Sequence, residues 1–511
     1  MRVLLLYPIF PKTMLSFEKP MEYMGKKALL PPLGLITVAA ILPQEWEFKL
    51  VDHNIRDVTE EEWSWAELVM ISGMIVQKKD FLEQVKESKR RGKPVAVGGP
   101  YPTSFLHEVQ NSDADYLVLD EGEMTIPPFL AALERGEASG IFRSVEKPDI
   151  TQTPMPRYDL LELDAYLEMS VQFSRGCPFL CEFCDIIVLY GRKPRTKTPA
   201  QIIRELECLY DLGWRDQVFM VDDNFIGNKR NVKQLLMELN VWMANKDYPF
   251  FFYTEASVNL AKEQELMDLM VECNFIGVFL GIETPDESIL ALTKKSQNLG
   301  NPLQESVKAI NRAGLLIIAG FVIGFDGEKS GIGKHIVEFV EQAAIPTALL
   351  TMLQALPNTA LWDRLQKEGR LLEQSGDINQ TTLMNFVPTR PVEEVAHEYV
   401  EAFWQLYEPK QYLNRVLRHL GNTEFSDIQI RKKKHRGSFS WKMFKTSMFI
   451  FWQFGVVNQT RWQFWSFFFK VIRRHSRQVE DAIKAYAFME HFADYRQIIR
   501  DEINAQLTAG K

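Results

Sequence analysis

The sequence has few cysteines, no excess of positive charge and no long uncharged apolar run. Only five of its 511 residues are cysteine, too few for a disulfide-stabilised scaffold. Its 59 basic side chains are outnumbered by 67 acidic ones, and this balance argues against a nucleic-acid-binding protein. The N-terminus MRVLLLYPIFP lacks the basic segment, apolar stretch and cleavage site of a signal peptide. We therefore expect a cytoplasmic protein of two or three domains.

Residues 1–145 have the pattern of a doubly wound, flavodoxin-like α/β domain. Helix-length segments separate five short apolar runs, each bounded by glycine, proline or aspartate: RVLLLYP, FKLVDHN, LVMISGM, PVAVGGP and DYLVLDEGE. Strands that are apolar throughout and alternate with helices predict a parallel sheet covered on both faces. A ligand of such a sheet binds beyond the carboxyl ends of the strands.

A second β/α series follows a short connection. Residues 146–165 contain three prolines and no long apolar run, which indicates a linker. Residues 166–375 then contain six strand candidates: MSVQFSR, QVFMVDDN, FFFYTEAS, GVFLGIE, LIIAGFVIGF and ALLTMLQAL. Six strands separated by helices predict a partial β/α barrel, whose chemistry belongs at the carboxyl ends of its strands.

Residues 376–511 are expected to form a helical C-terminal region that is basic and rich in aromatic side chains. Residues 431–478 include 12 lysines and arginines and no aspartate or glutamate, and 12 aromatic side chains lie within 441–469. The longest uncharged stretch, 446–460, has 15 residues, fewer than the roughly 20 that a spanning helix requires. The segment 431–478 therefore suggests helices lying in a membrane interface. The alternative is a helical subdomain that packs these aromatics on the barrel.

Three of the five cysteines form a C-x3-C-x2-C pattern at the end of the first predicted barrel strand. They are Cys177, Cys181 and Cys184 in RGCPFLCEFCD. Three thiolates on one short loop can bind three irons of a [4Fe–4S] cluster and leave the fourth iron open to another ligand. A structural zinc site would need a fourth cysteine or histidine, for which only Cys208 in a predicted helix and distant histidines are available. Zinc binding or chance clustering remains the alternative.

This cysteine pattern at the start of a β/α barrel resembles the radical S-adenosylmethionine (SAM) superfamily. The resemblance implies that the amino and carboxylate groups of SAM bind the open iron. Reductive cleavage of SAM would then give methionine and a 5′-deoxyadenosyl radical, with ferredoxin or flavodoxin as the electron donor. The resemblance also implies that Phe183, the aromatic residue before the last cysteine, contacts the adenine side of SAM. Ordinary loop packing is the alternative for Phe183.

The same resemblance implies further SAM contacts at the ends of the later barrel strands. The predicted positions are Asp222 and Asp223 (with Asn224), Glu255, Glu283 and Gly320. Carboxylates can accept hydrogen bonds from ribose hydroxyls or an ammonium group. The sequence lacks a literal GGE at the second strand, so the individual roles of these acids stay open. Gly320 would let adenine approach closely, although a strand glycine can equally serve packing.

A doubly wound domain before a radical SAM barrel resembles the cobalamin-binding class of the superfamily. Four segments occur in order before the cysteines: PPLGL, ISGM, VGGPYPT and DEGE. The implied cobalamin-binding positions are Ser72, Gly73, Gly98 and Gly99, where glycine permits close backbone approach. Any nucleotide- or flavin-binding domain is the alternative. The D-x-H-x-x-G motif is missing, so we expect no histidine ligand to cobalt and interpret His53 as a loop residue.

Over residues 1–415 the arrangement is similar to the members of this family that methylate hopanoids. The resemblance implies methyl transfer to an unactivated carbon, C-2, of an apolar lipid, and peripheral attachment to the inner face of a membrane. Such a carbon has no useful acidity, so no acid–base residue is assigned. A tetrapyrrole or other natural-product acceptor is the main alternative, and a cobalamin- or redox-sensing regulator is another. A thiomethylating RNA modifier would carry extra cluster cysteines and a basic RNA-binding domain, and neither is evident.

Overall fold

The computed structural model describes residues 1–300, 302–372, 378–422, 448–458 and 460–509. The chain divides into two compact units. The first comprises Met1–Lys12, Leu30–Leu235 and Gln354–Asn379, and the second comprises Thr13–Leu29, Leu236–Leu353 and Gln380–Lys511. These units do not end at the predicted domain boundaries. The predicted linker and the start of the predicted barrel belong to the same unit as the N-terminal sheet.

Parallel strands alternate with helices along most of the chain. The strands are β1 (Arg2–Tyr7), β2 (Glu47–Asp52), β3 (Leu68–Ser72), β4 (Val95–Gly98), β5 (Tyr116–Val118), β6 (Gly140–Phe142), β7 (Met169–Val171), β8 (Ser174–Arg175), β9 (Arg195–Thr196), β10 (Gln217–Met220), β11 (Phe251–Ala256), β12 (Phe275–Glu283), β13 (Leu316–Ile323) and β14 (Thr347–Met352). The helices are α1 (Glu18–Met24), α2 (Leu33–Ile41), α3 (Glu60–Trp65), α4 (Lys78–Arg90), α5 (Pro100–Ser104), α6 (Leu106–Gln110), α7 (Gly122–Glu134), α8 (Ile186–Leu189), α9 (Pro199–Asp211), α10 (Lys229–Asn245), α11 (Gln264–Glu272), α12 (Glu287–Leu292), α13 (Leu303–Arg312), α14 (Ile332–Ala343), α15 (Ala360–Lys367), α16 (Val392–Leu406), α17 (Pro409–Asn422), α18 (Arg461–Arg474) and α19 (Val479–Ala509).

The first unit contains a parallel sheet with the strand order β2-β1-β3-β4-β5-β6. The first five strands are those that the sequence predicts. The apolar pattern does not predict β6, because this three-residue strand exposes Ile141 and joins the sheet through its backbone. The strand order is the flavodoxin order with one strand added at the edge.

Both faces of this sheet are covered, as the continuous apolar strands predict. Val3 and Leu5 pack with α2 and α7 on one face, and Leu4 and Leu6 pack with α4 on the other. All four side chains are fully buried. Burial of each stabilises the fold by about 1.5–3 kcal/mol relative to exposure. The doubly wound prediction is confirmed.

All six runs predicted as barrel strands form strands, although MSVQFSR is divided into β7 and the short β8. In the first unit β7 pairs in parallel with β10. In the second unit β11, β12, β13 and β14 pair in this order, again in parallel. The predicted α/β class is therefore confirmed for this part of the chain.

The described part of the C-terminal region is helical, as predicted. It consists of α16, α17, α18 and α19, with a π-helix at Gln453–Val457 before α18. Residues 431–447 and 459 of the predicted interfacial segment lie outside the described residues. Among the residues that are described, no helix combines the length and the apolar character needed to span a membrane.

Candidate functional site

The three predicted cluster ligands lie on one loop of the first unit. Strand β8 pairs antiparallel with β9, and residues 176–194 between them contain all three cysteines. The Cys177 N–H donates to the Gly191 carbonyl (3.2 Å), and the Cys184 N–H donates to the Cys181 carbonyl (3.2 Å). Cys181 is buried, the other two are partly exposed, and none of the three forms a disulfide. The loop thus presents three thiols from a short, hydrogen-bonded stretch of backbone.

Glycine at position 176 allows this loop to close. Gly176 has φ of +92°, and a Cβ here would lie 2.7 Å from the Gly191 carbonyl oxygen and 3.2 Å from that of Lys193. Any larger residue would force the two ends of the loop apart. The sequence shows this glycine directly before the first cysteine. Its role, however, depends on its contact with Gly191, 15 positions further along the chain.

Asp222, predicted as a SAM contact, holds the strand end that leads into the cysteine loop. It accepts hydrogen bonds from the backbone N–H of Phe173 (2.8 Å) and of Ser174 (2.8 Å), and from the Ser174 hydroxyl (2.6 Å). Burial raises the pKa of Asp222 to about 7, although the Ser174 and Phe173 donors oppose this. Both carboxylate oxygens are therefore engaged by the chain itself, which makes Asp222 a positioning residue.

The next two residues continue this pattern toward the first cysteine. Asp223 accepts a hydrogen bond from the Gly176 N–H at 3.0 Å, and burial raises its pKa to about 6. The Asn224 side-chain amide donates to the Cys177 sulfur at 3.9 Å. Hydrogen bonds to cluster sulfurs tune reduction potential, so Asn224 is suited to act on a bound cluster. Three consecutive side chains of VDDN thus reach successive groups along the chain from Phe173 to Cys177.

Two acids of the DEGE segment bind arginines that flank the cysteine loop. Glu121 accepts from Arg175 (2.8 Å) on β8 and from Arg195 (2.8 Å) on β9. Glu123 also pairs with Arg175, at 2.9 Å. Burial lowers the pKa of Arg175, but Glu123 and Glu121 more than offset this, so its pKa is raised overall. The end of the N-terminal sheet is therefore joined to both ends of the cysteine loop by buried ion pairs.

A second contact links the VGGPYPT segment to the same loop. Helix α5, which begins within this segment, packs against α8, which follows Cys184. Ligands of doubly wound sheets bind at the carboxyl edge of the strands. In the first unit, this edge and the cysteine loop are consequently neighbours.

The four predicted cobalamin-binding positions lie together at this edge, where they approach one another closely. A Cβ at Gly99 (φ +93°) would lie 2.5 Å from the Ser72 hydroxyl, and one at Gly73 would lie 3.0 Å from the Phe81 ring. A Cβ at Gly98 would lie 2.6 Å from the neighbouring backbone of β5. Packing within the sheet thus accounts for these glycines, and their contact with cobalamin stays a prediction.

His53 lies in the turn after β2, as the sequence predicts. Its Nδ1 is 3.3 Å from Asp80 Oδ2. Its Nε2 is buried, with no hydrogen-bond partner in the described part of the chain. The imidazole is therefore packed into the protein in this conformation.

Phe183, one of the remaining predicted SAM contacts, is half-buried on the cysteine loop. The others lie in the second unit, toward the ends of adjacent strands. Glu255 is the penultimate residue of β11, and Glu283 ends β12 with its carboxylate 2.6 Å from the Lys295 ammonium. A Cβ at Gly320 on β13 would lie 3.0 Å from the Phe279 ring, so a packing role accounts for this glycine. The contacts of these residues with SAM stay predictions.

The donor set of the loop fits a [4Fe–4S] cluster. Each of the three thiolates can bind one iron, which leaves one iron for an exogenous ligand. Among the side chains that the structure describes, no three histidines, cysteines, aspartates or glutamates converge as the ligands of a single metal ion would. The loop has a hydrogen-bond donor for sulfur in Asn224 and a backbone held from both ends.

Glu328 is a buried acid that the sequence analysis did not single out. It follows β13 and accepts a hydrogen bond from the Gly324 N–H at 2.8 Å. Burial raises the pKa of Glu328 from 4.5 to about 7, although the Gly324 and Phe325 N–H groups and Arg390 oppose this. An acid in a glycine-containing turn usually faces water, so the sequence offers no signal of its burial.

We expect Glu328→Gln to stabilise the protein above pH 7 and to leave it unchanged near pH 5. Between pH 4.5 and about 7 the folded state binds more protons than the unfolded chain, so unfolding free energy falls as pH rises through this window. The glutamine side chain does not titrate, so the variant keeps the unfolding free energy that the wild type loses, which is about 3 kcal/mol at most. Urea unfolding near pH 5 and above pH 7 measures the difference in unfolding free energy between the variant and the wild type. Glu305→Gln, at an exposed glutamate, is the control. A pH-independent difference would contradict the prediction.

Comparison with protein-family models finds two matches. Residues 171–340 match the radical SAM superfamily. Residues 359–505 match a domain of unknown function, DUF4070.

Three curated relatives show how far the similarity extends. An uncharacterized methyltransferase of Synechocystis sp. is 62% identical, over 99% of this chain and 94% of its own. Hopanoid C-2 methylase of Rhodopseudomonas palustris is 34% identical, over 99% of this chain and 95% of its own. Bacteriochlorophyllide d C-12(1)-methyltransferase of Chlorobaculum tepidum is 22% identical, over 66% of this chain and 74% of its own. The similarity predicted for residues 1–415 therefore extends into the C-terminal region.

A solved structure shares the fold. The radical SAM methyltransferase TsrM of Kitasatospora setae, with cobalamin and a [4Fe–4S] cluster bound, superposes with a TM-score of 0.63. It covers 88% of this chain and 99% of its own at 15% identity. Parallel sheets with interleaved helices are thus shared despite the low identity.

Proposed function

Because the chain belongs to the family of cobalamin-dependent radical SAM methyltransferases, we propose that it adds a methyl group to carbon 2 of a hopanoid-type lipid. The enzyme uses a [4Fe–4S] cluster, SAM and cobalamin. The acceptor is supported by the full-length similarity to hopanoid C-2 methylase. The relative at 62% identity is uncharacterized and supports the methyltransferase chemistry only.

In this proposal the residues of the first unit bind and position the cofactors. When bound, the cofactors supply a carbon-centred radical and a methyl group. Cys177, Cys181 and Cys184 would hold the cluster, while Asp222 and Asp223 fix the backbone that leads to them. The carboxyl edge of the first sheet would hold cobalamin. No side chain has to act as an acid or base on the acceptor.

The observation that carries the acceptor is the full-length similarity to hopanoid C-2 methylase. The arrangement of the cofactors is supported by the ion pairs of Glu121 with Arg175 and Arg195, which join the sheet edge proposed for cobalamin to the loop with the proposed cluster ligands. Hydrogen abstraction and methyl transfer act on one carbon, so the groups that supply them have to be held close to each other. A buried ion-pair network holds its partners in a defined geometry only when all its members are satisfied.

The proposed partners follow from this chemistry. A one-electron donor such as ferredoxin or flavodoxin would reduce the cluster. An apolar acceptor resident in a membrane would favour peripheral attachment of the enzyme to the inner face of that membrane.

The acceptor can be tested by lipid and pigment profiling of a strain that lacks the gene. We expect loss of 2-methylated hopanoids, restored by the wild-type chain and by Cys208→Ala but not by Cys184→Ala. Intact hopanoids with altered pigments would overturn the lipid acceptor in favour of a tetrapyrrole, which the bacteriochlorophyllide relative makes the second candidate. Unchanged metabolites, together with no SAM cleavage by the purified protein, would indicate a regulator.

A further inference from the structure

The exposed phenylalanine and tryptophan side chains of the described residues all lie in one helical hairpin. This aromatic hairpin, residues 448–458 and 460–474, contains a helical turn, the π-helix and α18. Its exposed large apolar side chains are Met448, Phe449, Trp452, Val456, Val457, Trp462, Phe469 and Ile472. Trp462 is 75% exposed and Trp452 is 61% exposed. Large exposed apolar patches mark binding surfaces.

This exposure does not result from a poorly packed hairpin. The Phe464 ring lies 5.0 Å from the Tyr486 ring of α19, and the Phe454 ring lies 5.2 Å from the same ring. The Trp465 indole N–H donates to the Gly455 carbonyl at 2.9 Å. A Cβ at Gly455 would lie 2.9 Å from the Trp465 ring, so the two arms of the hairpin touch. The inner aromatics therefore fix the hairpin within the helical region and leave the outer ones in solvent.

The sequence analysis offered packing on the barrel or insertion in a membrane interface for these aromatics, and the described contacts of the inner rings are with other helices. The inner rings pack within the helical C-terminal region, on α19 and on α1, where the Tyr23 ring lies 5.4 Å from the Phe454 ring. On α18, residues 462 and 469 are seven positions apart and share one exposed face. The fold therefore sorts the aromatics into an inner and an outer set.

The hairpin is positively charged, and no acid among the described residues pairs with its cations. Arg461, Lys470, Arg473 and Arg474 are exposed, and no ion pair with the described residues involves them. The sequence contains no aspartate or glutamate between residues 431 and 478. Cations beside exposed tryptophan and phenylalanine are typical of helices that lie in the interface of an anionic bilayer.

We propose that the aromatic hairpin binds the surface of an anionic lipid bilayer, with its exposed aromatics among the headgroups and its four cations on the lipid phosphates. Over the described residues neither arm reaches the roughly 20 residues that a spanning helix needs, so the hairpin lies on the membrane. A protein partner would have to supply matching acids, whereas an anionic leaflet supplies negative charge over its whole surface. The inference stands on the hairpin alone and does not require the acceptor to be a hopanoid.

Vesicle flotation of the full-length protein tests the proposal. We expect the protein to float with vesicles of phosphatidylcholine plus phosphatidylglycerol and to bind far less to phosphatidylcholine alone. Each cation at the anionic surface raises affinity about fivefold, so Arg473→Gln with Arg474→Gln should weaken binding roughly 25-fold at low salt. High salt should remove this difference, because it screens exposed charges.

Aromatic variants separate insertion from simple charge attraction. Trp452→Ser with Trp462→Ser should weaken binding at least about tenfold at any salt concentration, because indole groups favour the interface. The controls are Leu292→Ser, which is equally exposed but lies outside the hairpin, and Lys334→Gln. Unchanged circular dichroism would show that the variants fold.

Two results would overturn the proposal. One is equal flotation of the wild type and both hairpin variants. The other is a wild-type dimer that the tryptophan variant converts to a monomer without any vesicle binding, which would make the hairpin an interface between two copies of the chain. These vesicles contain no hopanoid, so failure here leaves the proposed acceptor standing, and loss of 2-methylated hopanoids does not depend on this result.

Discussion

Cys181→Ala is expected to lose the [4Fe–4S] cluster and all methyl transfer. Cys181 is the buried member of the three thiols, and its loss leaves two protein ligands for a cluster that needs three. Iron and sulfide content per chain should fall, and the reduced cluster should disappear from the electron paramagnetic resonance spectrum. SAM cleavage should fall to the level of a protein-free blank.

Two other cysteines provide matched controls. Cys208 lies half-exposed on α9, and burial raises the pKa of its thiol. A raised pKa disfavours the thiolate that binds metal, so Cys208→Ala should keep the cluster and activity. Cys273 is fully buried and donates to the Leu236 carbonyl at 3.0 Å, so Cys273→Ala should lower stability but keep the cluster. Full cluster content and turnover in Cys181→Ala would refute the assignment of this loop as the cluster site.

Glu121→Gln is expected to destabilise the first unit by about 3 kcal/mol, since it removes one partner from a buried ion-pair network. The Glu121 side chain is 3% exposed and carries the negative charge for Arg175 and Arg195. Glu123 still pairs with Arg175 in this variant, so the loss is smaller than for an isolated pair. The ends of the cysteine loop then lose their common anchor. We therefore expect the variant to assemble a cluster but to release its iron faster to a chelator.

A surface ion pair provides the control for this prediction. Glu67 pairs with Arg2, and both side chains are more than 40% exposed, so Glu67→Gln should cost between zero and about 1 kcal/mol. Its cluster should resist the chelator as in the wild type. If Glu121→Gln unfolds at the wild-type urea concentration and keeps its iron equally long, the bridge does not position the loop.

Most of the fold follows from local patterns in the sequence. Strands β1 to β5 and all six barrel strands are apolar runs bounded by breakers, and each forms where the pattern places it. Strand β6 is the exception, because a three-residue edge strand with an exposed isoleucine has no such pattern. Its position depends on backbone pairing with β5.

The candidate site is only partly predictable from sequence. The three cysteines can be recognised from their spacing, because ligands on one loop are also close in space. Asp222 and Glu121 can be noticed in the sequence, but their partners cannot be read from it, since these lie 48 to 74 positions away. Asp222 and Glu121 are acidic side chains whose roles depend on their being buried beside these partners. Glu328 gives no signal at all, since its raised pKa results mainly from burial, and from repulsion by the distant Glu398.

Local sequence is enough to specify the strand and helix pattern, the loop with three thiols and the basic, aromatic character of the C-terminal region. These properties depend on neighbouring residues, so periodicity and spacing reveal them. The folded chain is needed to show that Glu121 bridges β8 and β9, that Asp222 supports the cysteine loop, and which aromatics of the hairpin remain in solvent. Each of these three features depends on which residues, distant in the sequence, come together and exclude water. Those neighbours are set only when the chain folds.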